Sequence, residues 1–410
     1  MLQGKERDIL RALVGEYMQF ATLPEQKEKI RLWKALNRGA MERPMVVMDQ
    51  LPWNELRCDE LQLQITEPYW RGVERNLRAQ IYQYKRFPVD MVLDPFISIY
   101  KSLHHTGYGL NPEIEKLGAA DTSAFSQHYT KLLNNLDDVA KITDWHVTHD
   151  VEETERHCQE AAAMFGDLAS VRPAGHIFHL GVWDYLAQLM GVEDIYFAFI
   201  DEPELLHAAM ERATASTICS IEDANACGGH SDITNTCHCS YTYTDDLLPD
   251  SGQGKGATSK NTWAFGLAQL FSSVSPELFA EFEFPYIAKM AEYFGYVYYG
   301  CCDRMDDRLD IVKKIPNVRK VSCSPWSDRA HFAEQIGPSL VMSNKPTPAF
   351  LATASFDEDV VRKDLQYTCR LAKENGANLE LILKDVSTVS NEPERLVRWA
   401  DIAMEVVQSV

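Results

Sequence analysis

Residues 296–302 read YVYYGCC, and three further β-rich runs follow them: VRKVSC at 318–323, LVMS at 340–343 and LELIL at 379–383. Each run leads into a stretch in which apolar residues recur at helical spacing. Strands that alternate with helices in this way are typical of parallel βαβ units. Further strand candidates lie near residues 46, 91, 173, 233 and 266. We therefore expect an α/β fold with eight or nine strands, a (β/α)8 or TIM barrel that forms a single domain over residues 1–410.

Two parts of the chain are predicted to lie outside this repeat. Residues 1–40 contain two amphipathic helical patterns and predict a helical N-terminal extension. Residues 100–148 are less regular and predict an insertion that folds over the carboxyl ends of the strands. The Gly/Ser-rich stretch at residues 250–260 (DSGQGKGATSK) lacks the spacing of a phosphate-binding P-loop and is expected to be mobile.

Composition limits the classes of partner. The chain has 410 residues, of which 60 are acidic and 40 basic, so its formal net charge is −20. Nucleic acids and anionic membranes bind concentrated Lys and Arg, so neither is an expected partner. No apolar run is long enough to cross a bilayer, and the N-terminus does not resemble a secretory signal. The 10 cysteines are then expected to be reduced thiols in a cytoplasmic protein.

Polar or thiol residues follow each of the last four strands. They are Cys301-Cys302-Asp303, Ser322-Cys323-Ser324, Ser343-Asn344-Lys345 and Lys384-Asp385. Parallel strands bring their carboxyl ends to one rim, which is where barrel enzymes place their catalytic groups. Strand ends are polar in any α/β protein, but four such clusters together favour a functional site.

Acids at strand ends could act as general acids or bases, or could cap the helices that follow. The predicted catalytic acids are Asp49, Asp303 and Asp385. The predicted substrate-binding residues are Trp53, Asp94, His176, His179, Cys323, Lys345 and Lys384. The two lysines could pair with substrate carboxylates or with the acids, and isolated histidines are more often structural than functional.

Thiols and imidazoles offer a metal site, since zinc commonly takes Cys and His ligands. The candidates are Cys237, His238, Cys239, Cys301, Cys302 and Cys323. Neighbours on a strand point to opposite faces, so either Cys237 and Cys239 or His238 alone could face one centre. Each thiol could equally be a small buried apolar side chain.

The segment SPELFAEF at residues 275–282 is followed about fifteen residues later by a short strand that ends in a Cys-containing turn. This order resembles the uroporphyrinogen decarboxylase superfamily, which includes zinc-dependent methyltransferases that serve corrinoid proteins. The resemblance covers roughly residues 25–410 and is clearest from 260 onward. It implies a (β/α)8 barrel with its site at the carboxyl ends of the strands.

The motifs of the decarboxylases and of the methyltransferases in this superfamily can each be compared with this sequence. The paired arginines of the decarboxylases are absent from DQLPWNE at residues 49–55, which disfavours a tetrapyrrole substrate. The His-x-Cys of the methyltransferases corresponds to Tyr299-Gly300-Cys301, which keeps the thiol and lacks the histidine. The second thiol position falls near Asp385. Cys301 or Cys302 could hold zinc together with Asp385 and His238, which is also a predicted catalytic residue.

The resemblance implies a methyltransferase or demethylase that moves a methyl group between a small molecule and a corrinoid. The chain lacks the usual D-x-H-x-x-G corrinoid motif, so we expect the corrinoid on a separate partner protein. Two alternatives stay open, a decarboxylase of a non-porphyrin carboxylate and a non-catalytic small-molecule binder. The sequence also leaves a homodimer open.

Overall fold

The structure is a computed structural model that describes residues 2–117, 126–233, 235–247 and 256–410. The described helices are α1 Gly4–Ala21, α2 Pro24–Asn37, α3 Pro68–Arg86, α4 Leu136–Val139, α5 Val151–Phe165, α6 Val182–Met190, α7 Val192–Asp201, α8 Pro203–Cys227, α9 Pro276–Phe282, α10 Phe284–Ala291, α11 Leu309–Val312, α12 Arg329–Ile336, α13 Ala349–Ala352, α14 Glu358–Glu374 and α15 Glu394–Gln408. The described strands are β1 Met45–Met48, β2 Phe96–Tyr100, β3 Ser102–His105, β4 Ile114–Leu117, β5 Ser126–Tyr129, β6 Val147–Asp150, β7 Ser170–Ala174, β8 Thr236–Cys237, β9 Ser240–Tyr241, β10 Trp263–Gly266, β11 Tyr296–Tyr299, β12 Val318–Cys323, β13 Val341–Asn344 and β14 Asn378–Leu383. Residues 250–255 of the Gly/Ser-rich stretch lie outside the described ranges.

A six-stranded parallel sheet forms the centre of the fold, in the order β1-β14-β13-β12-β11-β10. The strands of this sheet are almost entirely buried, as expected when helices cover a parallel sheet. Successive strands from β10 to β14 are neighbours and are joined by helical connections, which is the predicted βαβ pattern. The prediction of an α/β fold with a mostly parallel sheet is confirmed.

The other strands extend the sheet towards a barrel without closing it by continuous ladders in the described residues. Strands β2 and β7 form a separate parallel pair. Single bridges join His176 to His230 and His179 to Phe265. Phe265 belongs to β10. The Asp90 N–H donates to the Val46 carbonyl at 2.9 Å and links the segment before β2 to β1. The arrangement is compatible with a barrel-like fold, but the strands at the described positions do not form the fully closed eight-stranded ladder that we expected.

Two predicted strands differ from the structure for local reasons. The run at residues 91–93 is extended without a ladder, and β2 begins at Phe96, directly after Pro95, which has no N–H to donate. The run near residue 233 is a tight antiparallel hairpin, β8 paired with β9, and not a parallel strand. This hairpin, residues 236–241, is called the 236–241 hairpin below.

Some helices begin with a side-chain cap and others do not. Ser275 caps α9 by accepting a hydrogen bond from the Leu278 N–H. Asp201, in a sequence that suggests a capping box, instead ends α7, and α8 begins at Pro203 without a side-chain cap. Residues 100–148 contain the β3–β6 and β4–β5 pairings and α4, so the predicted insertion has strands of its own.

A buried ion pair anchors the 236–241 hairpin to the sheet. The Lys320 ammonium of β12 lies 2.7 Å from the Glu380 carboxylate of β14, and neither side chain is exposed to solvent. The same ammonium donates to Ser240 Oγ at 2.7 Å and to the Tyr241 carbonyl at 3.0 Å. Ser240 Oγ in turn donates to Glu380 at 2.8 Å. Two sheet strands and the hairpin therefore share one network of charged hydrogen bonds.

Removing one member of this pair leaves the other charge buried without a partner. We expect Lys320→Met to lower the free energy of unfolding by about 3–5 kcal/mol, measured by urea denaturation. The double variant Lys320→Met/Glu380→Leu should recover part of that loss because it buries no lone charge. Lys289→Met, which removes an exposed pair with Glu211, is the control and should change stability little. A double variant less stable than the single one would contradict this account.

Candidate active site

Cys301, His238 and Lys384 meet at the carboxyl ends of the strands. Cys301 follows β11, Lys384 follows β14, and His238 lies at the tip of the 236–241 hairpin. The Lys384 ammonium donates to Cys301 Sγ at 2.9 Å and lies 3.3 Å from His238 Nε2. Cys301 Sγ lies 3.6 Å from the same imidazole nitrogen. These three residues are called the thiolate cluster below.

The turn after β11 holds the Cys301 sulfur in place. Gly300 adopts φ +89°, and a Cβ there would lie 3.2 Å from Ser322 Cβ, so the position favours glycine. The Asp303 carboxylate accepts hydrogen bonds from the Cys301 N–H at 3.0 Å and the Ala268 N–H at 3.4 Å. Asp303 is fully buried, and burial raises the pKa of its carboxyl. Asp303 therefore holds the turn, and its catalytic role stays a prediction.

The hairpin tip orients the His238 imidazole. We expected residues 237–239 to alternate between the two faces of a strand. His238 has φ +53°, so these residues form a turn and do not alternate. Its ring stacks on Phe265 of β10, with centroids 3.9 Å apart and planes 9° apart. Cys237 is fully buried in the core beside the sheet. The conformation of the hairpin tip therefore directs the His238 side chain toward Cys301 and leaves Cys237 in the interior.

The thiolate cluster stabilises opposite charges on its members. The hydrogen bond from Cys302 is the largest influence on Cys301, and together with His238 and Lys384 it outweighs burial and lowers the pKa of Cys301 to about 3. Burial opposes charge on His238, but contacts with Cys239 and Cys301 raise its pKa to about 9. These contacts favour the thiolate of Cys301 and the protonated form of His238, while the Lys384 ammonium, 3.3 Å from Nε2, opposes the charge on His238.

Cys302 and Asp385 form the outer edge of this cluster. Cys302 Sγ lies 3.3 Å from Asp385 Oδ2 and 3.7 Å from Cys301 Sγ, so its single proton can be donated to only one of them at a time. The thiolate of Cys301 raises the pKa of Cys302, so Cys302 is the protonated partner. Asp385 adopts φ +55° and lies 3.2 Å from the Lys384 ammonium. Both residues meet the cluster as predicted.

A second buried network lies behind the hairpin tip. The Lys345 ammonium donates to Ser343 Oγ at 2.6 Å and to the Tyr298 hydroxyl. Cys239 Sγ lies 3.8 Å from that hydroxyl. Burial opposes ionisation of Cys239, but Lys345 and His238 lower its pKa. Lys345 therefore supports a thiol, and it does not line the cavity described next.

A cavity of about 640 Å³ opens beside the hairpin, between β1, α3 and the start of β2. His238 and Cys239 form part of its wall, and the predicted residues Asp49 and Asp94 also line it. Asp94 accepts hydrogen bonds from Asn235 Nδ2 at 2.7 Å and from the Tyr243 hydroxyl at 2.9 Å. Burial raises the pKa of Asp94 in spite of these bonds.

Four predicted residues lie apart from the thiolate cluster. Trp53 is 39% exposed and contacts the edge of Tyr82. His176 lines a smaller cavity, and burial lowers its pKa to about 4. The His179 ring lies 5.9 Å from that of His238, close to the cluster but without a hydrogen bond to it. Cys323 is fully buried, and burial raises its pKa to about 12, which is typical of a core thiol.

Tyr298 and Cys239 belong to the site but were not among the predicted catalytic or binding residues. Cys239 was recognised only as one of several thiols that could bind a metal. Tyr298 is one of 17 tyrosines in the chain, and nothing in its sequence context separates it from a core residue. Only the contact with Lys345 and Cys239 identifies it.

Zinc at the strand ends can be tested against the donor geometry. The separations of Cys301 Sγ from His238 Nε2 and from Cys302 Sγ, 3.6 and 3.7 Å, suit a tetrahedral centre. The Lys384 ammonium, however, contacts both Cys301 and His238 where a metal would have to bind. Within the described chain, no three ligand atoms of this cluster lie within 4.8 Å of one another. The donors in this arrangement do not fit zinc, and zinc here stays a prediction that requires Lys384 to move.

The charge arrangement predicts how Cys301 reacts with pH. We expect a small thiol reagent such as methyl methanethiosulfonate to modify Cys301 at pH 5, where ordinary thiols are protonated. Lys384→Met removes a cation from the thiolate, so the pKa of Cys301 should rise, the midpoint of the pH–rate profile should move up with it, and modification at pH 5 should slow by about tenfold for each unit by which that pKa exceeds 5. Site-resolved mass spectrometry measures both rates, with Lys373→Met as the control. An unchanged pH profile in Lys384→Met would show that the ion pair is not formed.

Comparisons with known proteins bear on the fold. No family model matches the sequence, and no curated protein matches it. Among solved structures, a methyltransferase from Methanosarcina mazei is similar, with a TM-score of 0.51 and 12% sequence identity. The match covers 91% of this chain and 97% of that chain. No helix among the described residues is long and apolar enough to cross a membrane. The chain therefore shares the overall fold of that methyltransferase along nearly its whole length.

Proposed function

We propose that the chain is an enzyme that moves a methyl group between a small molecule and a corrinoid carried by a separate partner protein. The observation that supports this proposal is the thiolate cluster, which places a protonated imidazole on the wall of a cavity of about 640 Å³. A volume of this size accommodates a small organic molecule. The fold shared with a methyltransferase agrees with the proposal.

His238 is the proposed proton donor. When a methyl group leaves an oxygen, sulfur or nitrogen atom, the bonding electron pair stays on that atom and a proton is needed there. The His238 imidazolium lines the cavity and can supply this proton. The corrinoid supplies the acceptor for the methyl group. Cys301 and Lys384 act through His238, since the thiolate keeps the imidazole charged and the ammonium keeps Cys301 ionised.

The cavity wall favours a methylated molecule over a carboxylate. None of the described residues that line it is Lys or Arg, whereas Tyr17, Tyr69 and Tyr241 contribute aromatic surface. Lys345 and Lys384, which a decarboxylase would use to bind its substrate, instead contact Tyr298 and Cys301. Decarboxylation of a non-porphyrin acid is for this reason the weaker candidate.

The entrance of the cavity suits delivery by a partner. Tyr100 lines the cavity and is 63% exposed, so the wall at this point reaches solvent. A partner protein could present its cofactor from that side. The strand-end acid Asp49, also on the wall and partly exposed, could then contact the small molecule.

Methyl transfer can be measured with free cob(I)alamin in place of the partner. We expect methylcobalamin to form, as followed by absorbance, with at least one member of a panel of methyl ethers, thioethers and methylamines. His238→Asn should lower kcat by about 10²–10⁴-fold, because a positioned proton donor contributes that much, and should change KM little.

Cys58→Ser is the matched control, because Cys58 lies outside the thiolate cluster, and it should retain full activity. The proposal fails if no panel member is demethylated while release of CO₂ from a carboxylate depends on His238. That result would instead establish the decarboxylase.

A further inference from the structure

A group of metal-ligating side chains lies away from the cavity and has no part in the chemistry above. His146 precedes β6, and Cys219 and Asp223 lie one turn apart on α8. One ligand atom from each of the three lies within 4.8 Å of the other two, and no other such group occurs among the described residues. None of the three lines the cavity of the proposed active site.

The distances between the donor atoms resemble those in a metal centre. His146 Nδ1 lies 2.9 Å from Asp223 Oδ2 and 3.7 Å from Cys219 Sγ. Bond lengths of a tetrahedral zinc centre place imidazole nitrogen about 3.3 Å from a carboxylate oxygen and about 3.6 Å from a thiolate sulfur. The third pair, Cys219 and Asp223, has donor atoms within 4.8 Å, so an approach of these two side chains would bring the three donors to one ion.

The surrounding backbone fixes two of the three donors. The His146 N–H donates to Thr106 Oγ1 at 2.8 Å, which holds the segment before β6. The Val147 N–H donates to Asp223 Oδ2 at 3.2 Å. Cys219 and Asp223 are four residues apart on a helix, so they point to the same side. Little ordering of the chain remains to be done when an ion binds.

The local charge favours a cation at this position. Three acids, Asp223, Asp144 and Glu222, lie near Cys219, against one cation, Arg212, which is paired with Asp144 at 2.6 Å. This excess of negative charge attracts a divalent ion. The three residues are partly open to solvent, with His146 the most exposed, so an ion can reach them.

We propose that His146, Cys219 and Asp223 bind a divalent transition-metal ion of the zinc class. Thiolate, imidazole and carboxylate together select zinc or cobalt over magnesium or calcium, which prefer oxygen ligands alone. Three protein ligands leave a fourth position for water. The ion would connect the segment before β6 to α8, two parts of the chain more than 70 residues apart in sequence.

This site changes how a zinc analysis of the protein must be interpreted. The thiolate cluster and the group on α8 each contain a Cys and a His, so the total zinc content does not separate them. The experiment therefore follows the sulfur that binds the metal.

The full chain, stripped of metal by a chelator, is titrated with Co²⁺, and the sulfur-to-cobalt charge-transfer absorption is recorded. We expect one equivalent to bind, the absorption to disappear in Cys219→Ser, and affinity to fall at least tenfold in His146→Asn and in Asp223→Asn. Cys227→Ser, at the end of the same helix, is the matched control and should keep the absorption. Loss of the signal in Cys301→Ser but not in Cys219→Ser would overturn the proposal, as would an absence of saturable Co²⁺ binding.

A second measurement needs no variant and so does not depend on whether the variants fold. Zn²⁺ should slow alkylation of Cys219 in the unmodified protein at least tenfold, as measured by site-resolved mass spectrometry, while the rate at Cys58 stays the same. Equal rates at Cys219 with and without Zn²⁺ would overturn the proposal.

Discussion

The buried ion pair between Lys320 and Glu380 is the interaction on which the rest of the site depends. Isolated charges are very costly in a protein interior, and this pair is tolerated because its groups bind one another and Ser240. Ser240 follows the hairpin tip directly, so the pair fixes the hairpin over the sheet. The His238 imidazole is thereby held against Phe265 and within reach of Cys301. The buried pair of Lys320 and Glu380 thus positions His238 next to Cys301 at the carboxyl ends of the strands.

The thiolate cluster shows how one fold can support charge chemistry with few residues. Cys302, the imidazole of the hairpin and the cation that follows β14 together lower the pKa of Cys301, although two strands separate β11 from β14 in the sheet. Parallel strands place all these groups at one edge, where the Lys384 ammonium lies 2.9 Å from Cys301 Sγ. In this arrangement the ammonium of Lys384 contacts both Cys301 Sγ and His238 Nε2.

The repeat of strands and helices from β10 to α15 was predictable because apolar periodicity and strand length depend on local sequence. The convergence of Cys301, Cys302, Lys384 and Asp385 was predictable for the same reason, since it requires only parallel strands. The hairpin at residues 236–241 was predicted as a strand, because its composition does not indicate a turn in which a histidine has φ > 0. The strand expected near residue 91 lies instead at Phe96–Tyr100, where it pairs with β7, and the position of that ladder depends on the neighbouring chain.

The sequence by itself determined the α/β class, the order of the last four strands and the edge where their reactive residues gather. Tertiary structure alone decided the surroundings of each of those residues. Asp303 and Cys323 are buried by packing, Lys345 contacts a tyrosine, and His146 joins two residues of α8 that are distant in sequence. The physical reason is that ionisation and ligation depend on burial and on distances of a few ångströms between segments. Local sequence patterns do not specify either quantity.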